Sequence, residues 1–118
     1  MKILPTVALT LLSACDAGSP GVSSHLGDAE RGRTLLWQFG CGSCHEIHGV
    51  VGAVGRVGPP LDEFARRVYI AGVLANTPEN LQRWIRAPQE VDPHSAMPDL
   101  GVSAEQARDI TAYLYGLK

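Results

Sequence analysis

Cys41-Gly42-Ser43-Cys44-His45 places two thiols and an imidazole in one short run. Thiols so spaced can bind a metal as thiolates, cycle between dithiol and disulfide, or add to an unsaturated group as thioethers. A four-ligand zinc ribbon needs a second cysteine pair, and the third of the three cysteines, Cys15, stands alone in the N-terminal segment. A redox-active dithiol would follow a strand in βαβ surroundings, whereas Arg33 to Phe39 has helical periodicity. Two thiols separated by two residues can each add to one vinyl group of the same porphyrin. The adjacent histidine then lies under the iron as an axial ligand. The motif therefore implies one covalent haem c on Cys41 and Cys44, with His45 on the iron.

The second axial ligand is narrowed by elimination. The sequence has two methionines, and Met1 is lost with the export signal described below, which leaves Met97 as the available thioether. Met97 lies in the irregular segment Pro93 to Pro98, where backbone can wrap a haem face. The competing reading is a methionine that fills a core gap. Of the histidines, His25 lies in a tether and His48 in a glycine-rich loop. His94 is the serious rival, and bis-histidine ligation would lower the potential relative to His/Met. Iron with both axial sites filled is restricted to passing single electrons. Displacement of Met97 would instead give a haem enzyme of peroxidase-like type, or a gas sensor. No separate acid–base pair supports turnover, so the expectation is an electron-transfer protein and not an enzyme.

These residues need elements to position them. Asp28 is an N-cap for a helix in which Gly32, Leu35, Leu36 and Phe39 recur on one face before Gly40 ends the run. Leu61, Phe64, Ala65 and Val68 share a helical stripe, which predicts a second helix over 61–70. Thr77 followed by Pro78 starts a third helix, which runs to Ala87 and stops at Pro88. Ser103 and Gln106 form a capping box for the last, with Ala107, Ile110, Leu114 and Leu117 as its apolar stripe. Gly49 to Pro60 and Pro88 to Gly101 read as loops, and no strand alternation is visible. The fold class is therefore all-α, with short helices and long loops. A domain of this size has a thin core, to which a large buried cofactor adds apolar contact.

The N-terminus reads as an export segment. Lys2 precedes a mostly apolar run from Ile3 to Leu12, too short to span a bilayer. Leu12-Ser13-Ala14-Cys15 matches the bacterial lipoprotein box, which would make Cys15 the lipidated first residue after cleavage. Asp16 resembles the signal that retains a lipoprotein at the inner membrane, facing the periplasm. The expected organisation is a signal peptide over 1–14, a lipid-attached flexible tether over 15–26, and one domain over 27–118. Ten basic residues stand against twelve acidic ones, which excludes a nucleic-acid-binding surface of the strongly basic kind.

Together these features resemble class I cytochrome c over Gly27 to Leu117. The resemblance implies that the short helices and loops wrap around one covalently bound haem. It pairs Gly32 with Tyr113 where the first and last helices cross. It implies that the Pro59 carbonyl of Gly58-Pro59 accepts a hydrogen bond from Nδ1 of His45, and that Trp84 packs against the haem. Pro88 precedes Met97 by the spacing found in mitochondrial cytochrome c.

The run Tyr69 to Thr77, with Asn80-Leu81, Trp84-Ile85, Pro88-Gln89 and Met97-Pro98, is similar to the cytochrome c domain of haem-copper oxidase second subunits. The implied role is a stand-alone, membrane-tethered counterpart in a respiratory chain. Its implied redox partners are a haem-copper terminal oxidase, to which it donates, or a dehydrogenase, from which it accepts. Two departures limit this. The first helix is one residue longer before Cys41 than in mitochondrial cytochrome c, and no lysine ring is present to guide docking.

Lipid on Cys15 has a direct consequence, because several acyl chains on one residue suffice for stable membrane attachment. The Cys15→Ser variant should move from the membrane fraction to the soluble fraction under a high-salt wash. Retention in the membrane would assign the anchor elsewhere.

Overall fold

The computed structural model describes residues 27–117. Cys15, His25 and the expected signal and tether lie outside the described residues. Helix α1 (Ala29–Gln38) starts where the Asp28 carboxylate accepts the Arg31 N–H at 2.9 Å, and it ends before Gly40 at φ 71°. Helix α4 (Ala104–Gly116) opens on the expected capping box: the Gln106 N–H donates to Ser103 Oγ at 3.2 Å, and the Ser103 N–H donates to Gln106 Oε1 at 2.9 Å. Helix α2 (Pro78–Arg86) has Thr77 as N-cap and proline in its first turn. The satisfied N–H groups are orphan donors of each first turn, so local sequence suffices to place these starts.

The crossing of α1 and α4 organises the domain. A Cβ on Gly32 would stand 2.0 Å from the Asp109 carbonyl oxygen, so the helices meet backbone to backbone there. The nearest neighbours of Gly32 are Asp109 and Ile110, not Tyr113 as the resemblance had implied. Tyr113 acts one turn further on, where its hydroxyl donates to the His48 carbonyl at 2.6 Å. Leu36, Ala107, Ile110 and Leu114 are buried around the crossing, joined by Leu81 and Ile85 from α2.

Asp109 is a charged residue in this interface, 3% exposed. Its Oδ1 accepts the Asp28 N–H at 2.7 Å and its Oδ2 accepts Arg31 Nε–H at 3.0 Å. Burial pushes the carboxyl up, but the Arg31 and Asp28 hydrogen bonds and the nearby arginine charges outweigh it, leaving it below the usual carboxylate range.

Residues 61–70 do not form the expected helix. A single 3-10 turn, Phe64–Arg66, follows Glu63 at φ 55°. It then gives way to a two-stranded antiparallel hairpin, β1 (Tyr69–Ile70) and β2 (Leu74–Ala75). Glu63, in the left-handed region, breaks the helical run, and the Asn76 side-chain amide holds the Phe64 and Arg67 carbonyls of the resulting turn, at 3.0 and 2.8 Å. Ala71 and Gly72, at φ 52° and 72°, make the reversing turn. The stretch after α2 also departs from a pure loop, since Pro88 opens a one-turn helix, α3 (Pro88–Val91). The domain is thus mostly helical, with one small sheet.

Asp109→Asn keeps the side chain's shape but removes the charge facing Arg31. It should lower stability by about 2 kcal/mol in guanidinium unfolding of the holoprotein at pH 7. A carboxyl held below its unfolded value stabilises at neutral pH and loses that contribution as pH falls through its folded value. The gap between wild type and variant should therefore close below about pH 4.

Candidate functional site

Gly40 turns the chain out of α1 into a 3-10 turn, Cys41–Ser43. The N–H groups of Cys44 and His45 both donate to the Cys41 carbonyl, at 3.2 and 3.0 Å, which gathers two half-buried sulfurs and the imidazole on one turn. The chain then loops through buried Ile47, Val50 and Ala53 and returns, with the Gly58 N–H on the Cys44 carbonyl at 2.7 Å. That return pins the ring of His45. A Cβ on Gly58 would lie 2.4 Å from its Cε1, so only glycine lets the backbone pass. The next residue supplies the Pro59 carbonyl 2.7 Å from His45 Nδ1. A carbonyl can only accept, so Nδ1 carries a proton, and in the neutral ring Nε2 then keeps its lone pair. Nε2 has no hydrogen-bond partner among the described residues.

Cys41 and His45 line one apolar pocket. Helix α1 contributes Leu36, α2 contributes Leu81, Trp84 and Ile85, and α4 contributes Ile110 and Leu114. Met97 lines the same pocket from the loop after α3. Cys44 lies on the attachment turn, just outside the lining. His94 and His48 are exposed and outside it as well. Of the residues singled out in the sequence, the fold thus brings Cys41, His45, Trp84 and Met97 together, with Pro59 holding the histidine.

This donor set fits a haem. One imidazole nitrogen is prepared as a ligand, a thioether shares its pocket, and the remaining lining is apolar. Burial pushes the Cys41 thiol up, the opposite of what a thiolate metal ligand or redox nucleophile requires. Among the described residues no group of three or more His, Cys, Asp and Glu is placed to hold a metal ion.

Other supports were not anticipated from the sequence. Phe64 lines the pocket and meets the Tyr115 ring edge-on, centroids 5.8 Å apart. The Tyr115 hydroxyl donates to Asn76 Oδ1, and the same Asn76 amide holds the Phe64 carbonyl. Burial, with a smaller effect of Glu79, pushes the Tyr115 hydroxyl up to about 12, so it stays a donor throughout the physiological range. Gln89 is another: its amide reaches the backbone of the Met97 loop. Neither role leaves a local mark in the sequence, since both depend on the chain path elsewhere.

Known proteins agree with this geometry. The sequence matches the cytochrome c family over residues 29–118. It is 35% identical over 109 residues to cytochrome c oxidase subunit 2 of Alkalihalophilus pseudofirmus, covering 87% of this chain and 31% of that protein. Identity to the same subunit of Bacillus sp. (strain PS3) is 35% over 87 residues, covering 70% and 24%. The chain thus spans a third or less of these relatives' length. In fold it is similar to SoxXA from P. pantotrophus, with a TM-score of 0.63 at 19% identity, covering 80% of this chain and 85% of that one. Cytochrome c2 from Rhodobacter sphaeroides gives 0.51 at 22% identity, covering 77% and 96%. A family match that runs from the first turn of α1 through α4, over a pocket built for a haem, means that this chain belongs to the cytochrome c family, electron carriers whose cofactor is covalently bound haem c.

Proposed function

We propose that this protein is a one-electron carrier of a bacterial respiratory chain, tethered by lipid on Cys15 at the periplasmic side of the inner membrane. Its haem is attached at Cys41 and Cys44 and ligated by His45 and Met97. It donates to a terminal oxidase or accepts from a dehydrogenase. The observation that carries the ligand assignment is that Met97 lines the pocket with His45 while His94 stays outside it. Similarity to oxidase second subunits supports the choice of partners.

When bound, the haem supplies the one-electron couple of its iron. The chain's residues set how readily that couple accepts an electron. Pro59 keeps the proton on Nδ1 of His45, which orients the ring and makes Nε2 a better donor. A thioether at Met97 favours the ferrous state, and the apolar lining from Leu36, Leu81 and Ile110 acts in the same direction by disfavouring the more charged ferric state. Two protein ligands leave no vacant position for substrate, so the role is that of a carrier and not of an enzyme.

Two experiments test this reading. Acid-acetone treatment should leave haem on the wild-type chain, and the Cys41→Ala, Cys44→Ala double variant should carry none; haem that extracts freely from wild type contradicts the attachment. The ferric protein should show the weak near-infrared charge-transfer band of thioether ligation. Met97→Ala should abolish the band, lower the potential and open the iron to cyanide, while His94→Ala should leave all three unchanged. A wild-type protein that lacks the band and binds carbon monoxide readily would instead be a ligand-binding or peroxidase-like haem protein.

A further inference from the structure

Met97 stands in a loop with little regular structure to hold it. From Asp92 onward the loop bonds mainly to itself. The His94 N–H donates to Asp92 Oδ1 at 3.0 Å, the Ser95 N–H to the Asp92 carbonyl at 3.0 Å, and the Met97 N–H to Ser95 Oγ at 3.1 Å. Pro98 follows and has no N–H to give. Among the described residues, hydrogen bonds reach residues 93–98 from before Asp92 only through Gln89. Its Nε2 donates to the Met97 carbonyl at 2.6 Å and to the Ser95 carbonyl at 3.2 Å.

The geometry points to Gln89 as the residue that positions Met97, acting through the loop backbone. This rests on Met97 being an iron ligand. A primary amide has two hydrogens, and two carbonyls take them both, so the clamp uses the full donor capacity of the side chain. Fixing the peptides of residues 95 and 97 fixes the Cα of Met97 and the direction in which its side chain leaves the loop.

Gln89 can reach because α3 is there at all. Ala87, at φ −148° and ψ 67°, breaks α2, and buried Pro88 restarts the chain as a separate helical turn. The Gln89 side chain itself is exposed and contributes little to the core. Its effect therefore falls on how long the sulfur stays on iron, and little on whether the domain folds. Partners that orient a ligand from outside its coordination shell commonly change the ligand's hold about tenfold or more.

The test uses ferric holoprotein and cyanide, which binds only when the sulfur leaves. Gln89→Glu preserves size and shape but replaces the two donors with an oxygen that repels both carbonyls. Gln38→Glu makes the same charge change on the exposed face of α1 and serves as the control. Cyanide association should be about tenfold faster in Gln89→Glu, with a weaker near-infrared thioether band, and unchanged in Gln38→Glu.

Three results would overturn the proposal. One is an association rate in Gln89→Glu within about twofold of wild type, alongside a Met97→Ala variant that accelerates strongly; the ligand assignment would then stand and the clamp would fall. Another is equal acceleration in Gln38→Glu, which would make the effect one of net charge. The third is a wild type without the band whose cyanide rate Met97→Ala leaves unchanged, which removes Met97 as ligand and the clamp with it.

Discussion

Backbone contact between α1 and α4 at Gly32 is the constraint on which the rest of the domain depends. The attachment turn hangs from the end of α1, and the pocket takes Ile110 and Leu114 from α4. The separation of these two helices therefore sets the width of the space between the turn and the wall. A side chain at residue 32 would push them apart where neither backbone can yield. Asp109 closes the same contact from its edge. A carboxylate in such a place is costly to desolvate, and here a backbone N–H and a guanidinium offset that cost.

Elements whose instructions are local were legible in the sequence, and those whose instructions come from afar were not. The three longer helices carry their own N-caps, Asp28, Thr77 and Ser103, each within three residues of the N–H it serves. The stripe Leu61, Phe64, Ala65, Val68 looked helical for the same local reason. It gave way to a single turn after Glu63, at φ 55°, whose carbonyls are held by Asn76 from beyond the region. Cys41, Cys44 and His45 were readable because the chemistry needs them adjacent. The place of Met97 in the same pocket was foreseeable because the sequence offers so few thioethers. Asp109 was missed, since a carboxylate beside an apolar stripe has the same letter whether it faces water or Arg31.

The two residues assigned to the iron are held by different means. His45 is fixed by its place in the turn, by the chain passing at Gly58 and by a hydrogen bond to a neighbouring carbonyl. Each of these is local and mostly backbone. Met97 is held by a loop that bonds largely to itself and by an exposed amide from a single helical turn. The histidine side is thus the rigid half of the site and the methionine side the adjustable half. Changes in residues 92–97 can shift Met97 within the pocket without touching the turn that bears the thiols.

The bond from the Asp28 N–H to Asp109 joins residues 81 positions apart, nearly the full length of the domain. A chain made from its N-terminus produces α1 and the attachment turn long before it produces α4. Until α4 docks on α1, the side of the pocket formed by Ile110 and Leu114 is missing. Closure of the space therefore waits on the last helix of the chain, whatever has folded before it.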